Sequence, residues 1–144
     1  MKQLLLLIGF CYLGFSLVVQ AQEEPTQITD KFFEIFETAP LQAMDYAFAT
    51  NSYLKENTLA IETLKKRYTQ AGAITGVYKG FETITVKTIG DSFRLYSFLV
   101  KFERIPLRFT FIMYRASNTW RVNQLFYDDT LLAELEASAK QDRM

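Results

Sequence analysis

The chain offers few side chains for covalent or acid–base chemistry. It has no histidine and a single cysteine, Cys11. Triads built on a histidine base, cysteine nucleophiles in the body of the chain and ordinary His/Cys zinc sites are therefore excluded. None of the six glycines falls at the spacing of a phosphate loop or a dinucleotide fingerprint. What remains for acid–base work is carboxylate and tyrosine. Asp45 and Tyr46 adjoin on one segment, and Tyr96, Tyr114 and Tyr127 fall on others. A carboxylate serves as a base where apolar walls raise its pKa. Asp45, however, lies off the Leu41, Met44, Phe48 stripe and so faces water, and the tyrosines read equally well as wall and interface residues. No catalytic residue is assigned, and a non-enzymatic role is the preferred reading.

Arginine is the other candidate. Arg94, Arg108 and Arg121 occupy strand positions, and a guanidinium inside a cup is a natural partner for a carboxylate ligand. Arg108 alternates onto one face with Thr110, Ile112 and Tyr114, a mixed polar and aromatic surface. A solvated strand face with cross-strand Arg–Glu pairs is the competing interpretation. The candidate ligand-binding set is Arg108, Tyr114, Tyr96, Tyr127 and Arg94. Asp128 and Asp129 suggest Ca²⁺ at first sight, but two adjacent acids diverge, and they immediately precede Thr130-Leu131-Leu132, where acids cap a helix. No metal or cofactor is expected.

These residues must be positioned by the elements around them. Ile28, Phe32, Ile35 and Phe36 recur at helical spacing, with Thr26 or Thr29 as cap and Pro40 as the break. Leu41, Met44, Ala47 and Phe48 repeat the period in a second helix with Thr38 as N-cap, ending at Asn51 and Ser52. A third helix is expected from about 57 to 71, with Ile61, Leu64 and Tyr68 inward and Gly72 at its C-terminus. From Ile74 the period changes to two. Thr83 to Ile89 alternates up to the turn Gly90-Asp91, and Tyr96, Phe98, Val100 and Phe102 share one face of the next strand. Arg104-Ile105-Pro106 makes a reversal, Leu107 to Ala116 a third strand, Ser117-Asn118 a turn, and Thr119 to Tyr127 a fourth. Connections this short require an antiparallel meander. A terminal helix follows to about Ala139, docking through Leu131, Leu132 and Leu135.

The first residues are of another kind. After Met1-Lys2-Gln3 comes an apolar run from Leu4 to Val19, closed by Gln20-Ala21. This is the pattern of a signal peptide cleaved after Ala21. A spanning anchor needs about 20 apolar residues and a basic flank, which this run lacks. Lipid attachment at Cys11 is disfavoured by the Phe10 before it. The organisation expected is a signal peptide at 1–21, a flexible lead-in at 22–27, one domain at 28–139 and a frayed tail at 140–144. The whole chain balances 16 basic against 16 acidic residues, and loss of Lys2 leaves one net negative charge. Nucleic acid and anionic membrane surfaces require a basic excess and are not expected partners. In an oxidising compartment without disulfides, stability must come from the core.

Helices followed by a meander make an α+β domain, with the N-terminal helices packed on a strongly twisted antiparallel four-stranded sheet and a short C-terminal helix. That order, together with the stretch from Ser97 to Phe111, the later Trp120-Arg121-Val122 and Phe126-Tyr127-Asp128-Asp129, resembles the NTF2-like (cystatin-like α+β) superfamily, and in particular exported bacterial domains of that type. The resemblance implies a cone-shaped pocket, and in some members an Asp base with a Tyr donor inside it. The short strand pair that commonly precedes the third helix there has no counterpart here. The function expected is an exported, periplasmic or secreted domain that binds a small apolar or acidic molecule, or a protein, on the concave sheet face. The alternatives are a homodimer formed through the sheet and a small Asp/Tyr enzyme.

Overall fold

In the computed structural model, which describes residues 24–141, the chain opens with a helix that starts earlier than its apolar spacing suggests. Helix α1 spans Pro25–Phe36. Pro25 occupies its first position, where the missing N–H costs nothing, and Gln27 Oε1 accepts the Glu24 N–H at 2.7 Å. The lead-in expected at 22–27 is thus helical from Pro25, and neither Thr26 nor Thr29 caps it; the Thr29 hydroxyl instead donates to the Thr26 carbonyl at 2.9 Å. Residues 22 and 23, the leader at 1–21 and residues 142–144 lie outside the described residues.

Helix α2 spans Pro40–Ala49, with Ala39 rather than Thr38 as its N-cap. Ala43, Met44 and Ala47 are its buried residues, while Leu41 is exposed and Phe48 only half-buried. The stripe is therefore rotated from the one expected. Past its end, Asn51 is buried and donates from Nδ2 to the Val122 carbonyl at 2.9 Å, and the Thr50 hydroxyl accepts the Val122 N–H at 2.9 Å. Two side chains thereby satisfy backbone groups of the last strand.

Helix α3 spans Thr58–Thr75, capped by Asn57, whose side chain accepts the Ala60 N–H. It runs through Gly72 and stops at Gly76, where φ is +84°. The reason lies some 30 residues away. Arg104 donates from Nε to the Ile74 carbonyl and from Nη2 to the Ala73 carbonyl, both at 3.0 Å, and its backbone N–H reaches the Thr75 carbonyl at 2.9 Å. The reversal at Arg104-Ile105-Pro106 thus supplies both the charge and the donors that a helix C-terminus needs. Residues 74 and 75, expected to begin the strand, are drawn into the helix.

Strands β1 (Tyr78–Ile89), β2 (Phe93–Phe102), β3 (Leu107–Tyr114) and β4 (Arg121–Asp128) form one antiparallel sheet in sequence order. Register shifts interrupt β1 at Lys79 and Ile84, and β4 at Asn123. One face carries Tyr96, Phe98, Val100 and Phe102 with Phe109, Phe111, Met113, Val122 and Leu125, all buried. Helix α1 drives its phenylalanines into that face. Phe33 stacks on Phe81 at 3.9 Å, Phe32 meets Phe111 edge-on at 4.9 Å, and Phe36 meets Phe109 at 5.4 Å. Burial of these rings is the main driving force of the fold. It also fills the space between helices and sheet that a cone-shaped pocket would occupy.

The last described element is helix α4, Leu131–Gln141, which takes in residues 140 and 141 of the tail expected at 140–144. Asp128 Oδ1 accepts the Thr130 N–H at 2.9 Å, as expected of an acid at a helix start. The docking stripe expected on α4 is not buried: Leu132 and Leu135 are each 68% exposed. Helical spacing groups these leucines, but the neighbouring sheet face meets the helix through Glu134 instead.

Candidate functional site

Cross-strand register sorts the five candidate residues onto two faces. Arg108 lies opposite Leu99 and Asp128, and Tyr114 opposite Phe93 and Arg121, on the face turned away from α1, α2 and α3. Tyr96 lies opposite Phe111, and Tyr127 opposite Phe109, on the helix-facing side. Tyr96 is buried, and Tyr127 stacks on Phe109 at 5.5 Å and meets Tyr68 edge-on at 6.1 Å. These two tyrosines are core walls, and burial pushes the Tyr127 hydroxyl pKa upward against the opposing charge of Arg67. Arg94 is opposite Met113 on the same inner side, its guanidinium over Trp120. Even Arg108 and Tyr114, which share a face, are six residues apart, about 20 Å along a strand. The candidate set therefore does not converge on one ligand.

Arg108 is the centre of a different arrangement. Its Nε and Nη2 donate to Asp128 Oδ2 at 3.2 and 2.8 Å, and Nη2 also to the Thr130 hydroxyl at 2.8 Å. Nη1 donates to Glu134 Oε2 at 2.7 Å. Burial raises the Asp128 carboxyl pKa, but the Arg108 hydrogen bonds and then those of Thr130 outweigh it and hold the group below its ordinary value. One guanidinium thus ties β3 to the end of β4 and to the first turn of α4.

Helix α4 accordingly runs across the open sheet face. At its far end Leu135 and Ser138 face Ile84 and Thr85 of β1 across a cleft of about 460 Å³, with Lys87 beside it. The row Ser97–Thr110 lies between the two contacts, and both residues are buried. Leu95, Leu99 and Ile112 on the same face are half-buried. Ser97 Oγ is sealed from solvent without a hydrogen-bond partner. The face is thus an apolar and hydroxyl-bearing strip with one multiply engaged cation at its edge.

A second depression, an open groove of about 590 Å³, runs between α3 and the β4 edge, floored by Phe48, Leu64 and Leu125 and rimmed by Arg67. No signal in the sequence pointed to it, since it depends on the α3–β4 juxtaposition. Glu134, by contrast, was discoverable as an acid one turn into the helix that follows β4, the strand paired with the one bearing Arg108.

For acid–base chemistry the geometry is unfavourable. Asp45 is half-exposed and its Oδ1 lies 2.6 Å from Lys65 Nζ, not against apolar walls. Among the described residues no group of three or more acids or cysteines is placed to hold a metal ion, and no helix is long and apolar enough to cross a membrane. Comparison with protein-family models, with characterised proteins and with solved structures finds no match to this chain.

Proposed function

We propose that this is an exported, non-enzymatic NTF2-like domain that binds an apolar molecule bearing a carboxylate on the open face of its sheet, with Arg108 as the anchor and α4 as a displaceable cover. One observation carries the reading. Helix α4 is held at its start by a polar tether through Arg108, while two of its leucines remain in water. A helix needed for the core would bury such residues. In the closed arrangement the Glu134 carboxylate occupies the place a ligand carboxylate would take on Nη1, and the half-buried Leu95, Leu99 and Ile112 supply the apolar bed.

Decanoate tests this directly by titration calorimetry. Glu134→Gln is expected to tighten decanoate binding several-fold by weakening the internal competitor, and Arg108→Gln to weaken it at least tenfold. Equal affinity across the three proteins would refute the assignment. A second reading, self-association, rests on the exposure of Leu132 and Leu135. A dimer in native mass spectrometry that dissociates on Leu132→Glu, with no decanoate bound, would establish that reading instead.

A further inference from the structure

The end of the sheet where β2 begins and β3 finishes concentrates cationic donors without matching acceptors. Trp120 is 2% exposed, and the guanidinium carbons of Arg94 and Arg115 each lie 4.8 Å from its ring centroid. The two cations are thus no farther apart than about one Debye length, ~10 Å at 0.1 M salt. Arg115 Nη2 donates to the Asp91 carbonyl at 3.0 Å, and among the described residues Arg115 forms no ion pair. Arg94 has one, a long contact of 3.6 Å to Glu24, whose side chain is half-exposed.

Five buried side-chain polar atoms lack a partner among the described residues, and two of them are Arg94 Nε and Trp120 Nε1. A third, Arg121 Nε, lies on the other face of the sheet, where Arg121 is opposite Tyr114, and is not part of this cluster. Arg94 Nε and Trp120 Nε1 are both donors, whereas buried polar groups in folded proteins are ordinarily paired. Glu24 also caps the 12-residue helix α1, so the positive end of that helix dipole adjoins the same arginine. An indole with two guanidiniums against it restrains both side chains, and both arginines remain half-buried rather than sealed.

We propose that Arg94 and Arg115, held on Trp120, form a binding site for a phosphate group. Two guanidinium forks offer more donors than the two oxygens of one carboxylate accept well, and a phosphate presents at least three oxygens. The site lies on the helix-facing side of the sheet, apart from Arg108, and does not depend on the proposed role of the open face.

The chain has a single tryptophan, so its emission reports this site alone. Titration of the full protein with inorganic phosphate, at ionic strength matched by sodium chloride, is expected to give a saturable change in Trp120 emission and a rise in melting temperature. Arg94→Gln and Arg115→Gln should each weaken the apparent affinity at least tenfold, while Lys101→Gln, on the other face, should leave it unchanged. Phenyl phosphate run in parallel identifies the source: tighter binding than inorganic phosphate marks a phosphate ester, and equal or weaker binding marks the free ion. Should either variant fail to fold, the melting temperature of the unaltered protein decides. No rise with phosphate beyond that with chloride, or an unaltered response in both arginine variants, would overturn the site.

Discussion

Arg108 shows how one side chain takes its role from its neighbours. On a strand facing water it would be a solvated cation worth little to stability. Opposite Asp128 and within reach of Glu134 it becomes the tether of a whole helix. The tether has a defined pH range. Because the folded Asp128 carboxyl is held below its ordinary 3.8, its stabilising contribution is complete above that value and is lost only as pH falls through the lower folded pKa. An NMR titration should therefore place the Asp128 midpoint below 3.8; a midpoint above 3.8 would contradict the Arg108–Asp128 pairing. Trp120 sits at the opposite extreme of exposure. Trp120→Ala is expected to cost about 3–5 kcal/mol in denaturant melts, and a loss under about 1 kcal/mol would mean that the ring is not a core anchor. That Trp120 is a core residue was legible in its aromatic context, although it lies just before β4 rather than in a strand beginning at Thr119; its two arginine neighbours were not, since Arg94 and Arg115 meet it only through the fold.

At the scale of elements, two glycines of α3 make opposite forecasts. Gly72 lies inside the helix with open space around it, so Gly72→Ala should stabilise the protein by about 0.5–1 kcal/mol. At Gly76 φ is +84°, and an added Cβ would come within 3.1 Å of Glu103 Cβ, so Gly76→Ala should destabilise by at least about 1 kcal/mol. Thermal melts of the pair decide whether the helix ends at 75; the reverse order of stabilities would place its end at 72. The local signal favoured Gly72, and it misled because Arg104 caps the helix from a distant reversal that no window of sequence connects to it. The strands fared differently. In β2 the alternation of Tyr96, Phe98, Val100 and Phe102 with Leu95, Ser97, Leu99 and Lys101 is a local property, and the short turns left one way to pair them. Helix α4 was legible as a helix but not in its placement, because Leu131, Leu132 and Leu135 look like a docking stripe until the sheet face beneath is seen to offer Arg108. Truncation after Thr130 should consequently lower the melting temperature by less than about 5 °C. Loss of cooperative unfolding would instead make α4 part of the core.

The whole molecule has a two-sided design. One sheet face is sealed by α1, α2 and α3 through packed aromatic rings, so stability resides there. The other face carries half-buried apolar residues, buried hydroxyls and a helix held by ion pairs, so it is the side free to change without unfolding the domain. The α+β class could be read from periodicity, and the strand order from the short turns between the strands. The face proposed to bind ligand could not, because it depends on which side the helices fill and where the tail returns, both long-range outcomes of packing. Hydrogen–deuterium exchange across Leu131–Gln141 with and without saturating decanoate shows whether α4 is displaced by ligand. Displacement of Glu134 from Arg108 should release the helix, so α4 amides are expected to exchange at least several-fold faster when decanoate is bound, while the amides of β2 and β3 beneath slow. Unchanged exchange in α4 at saturation would contradict a displaceable cover on this face.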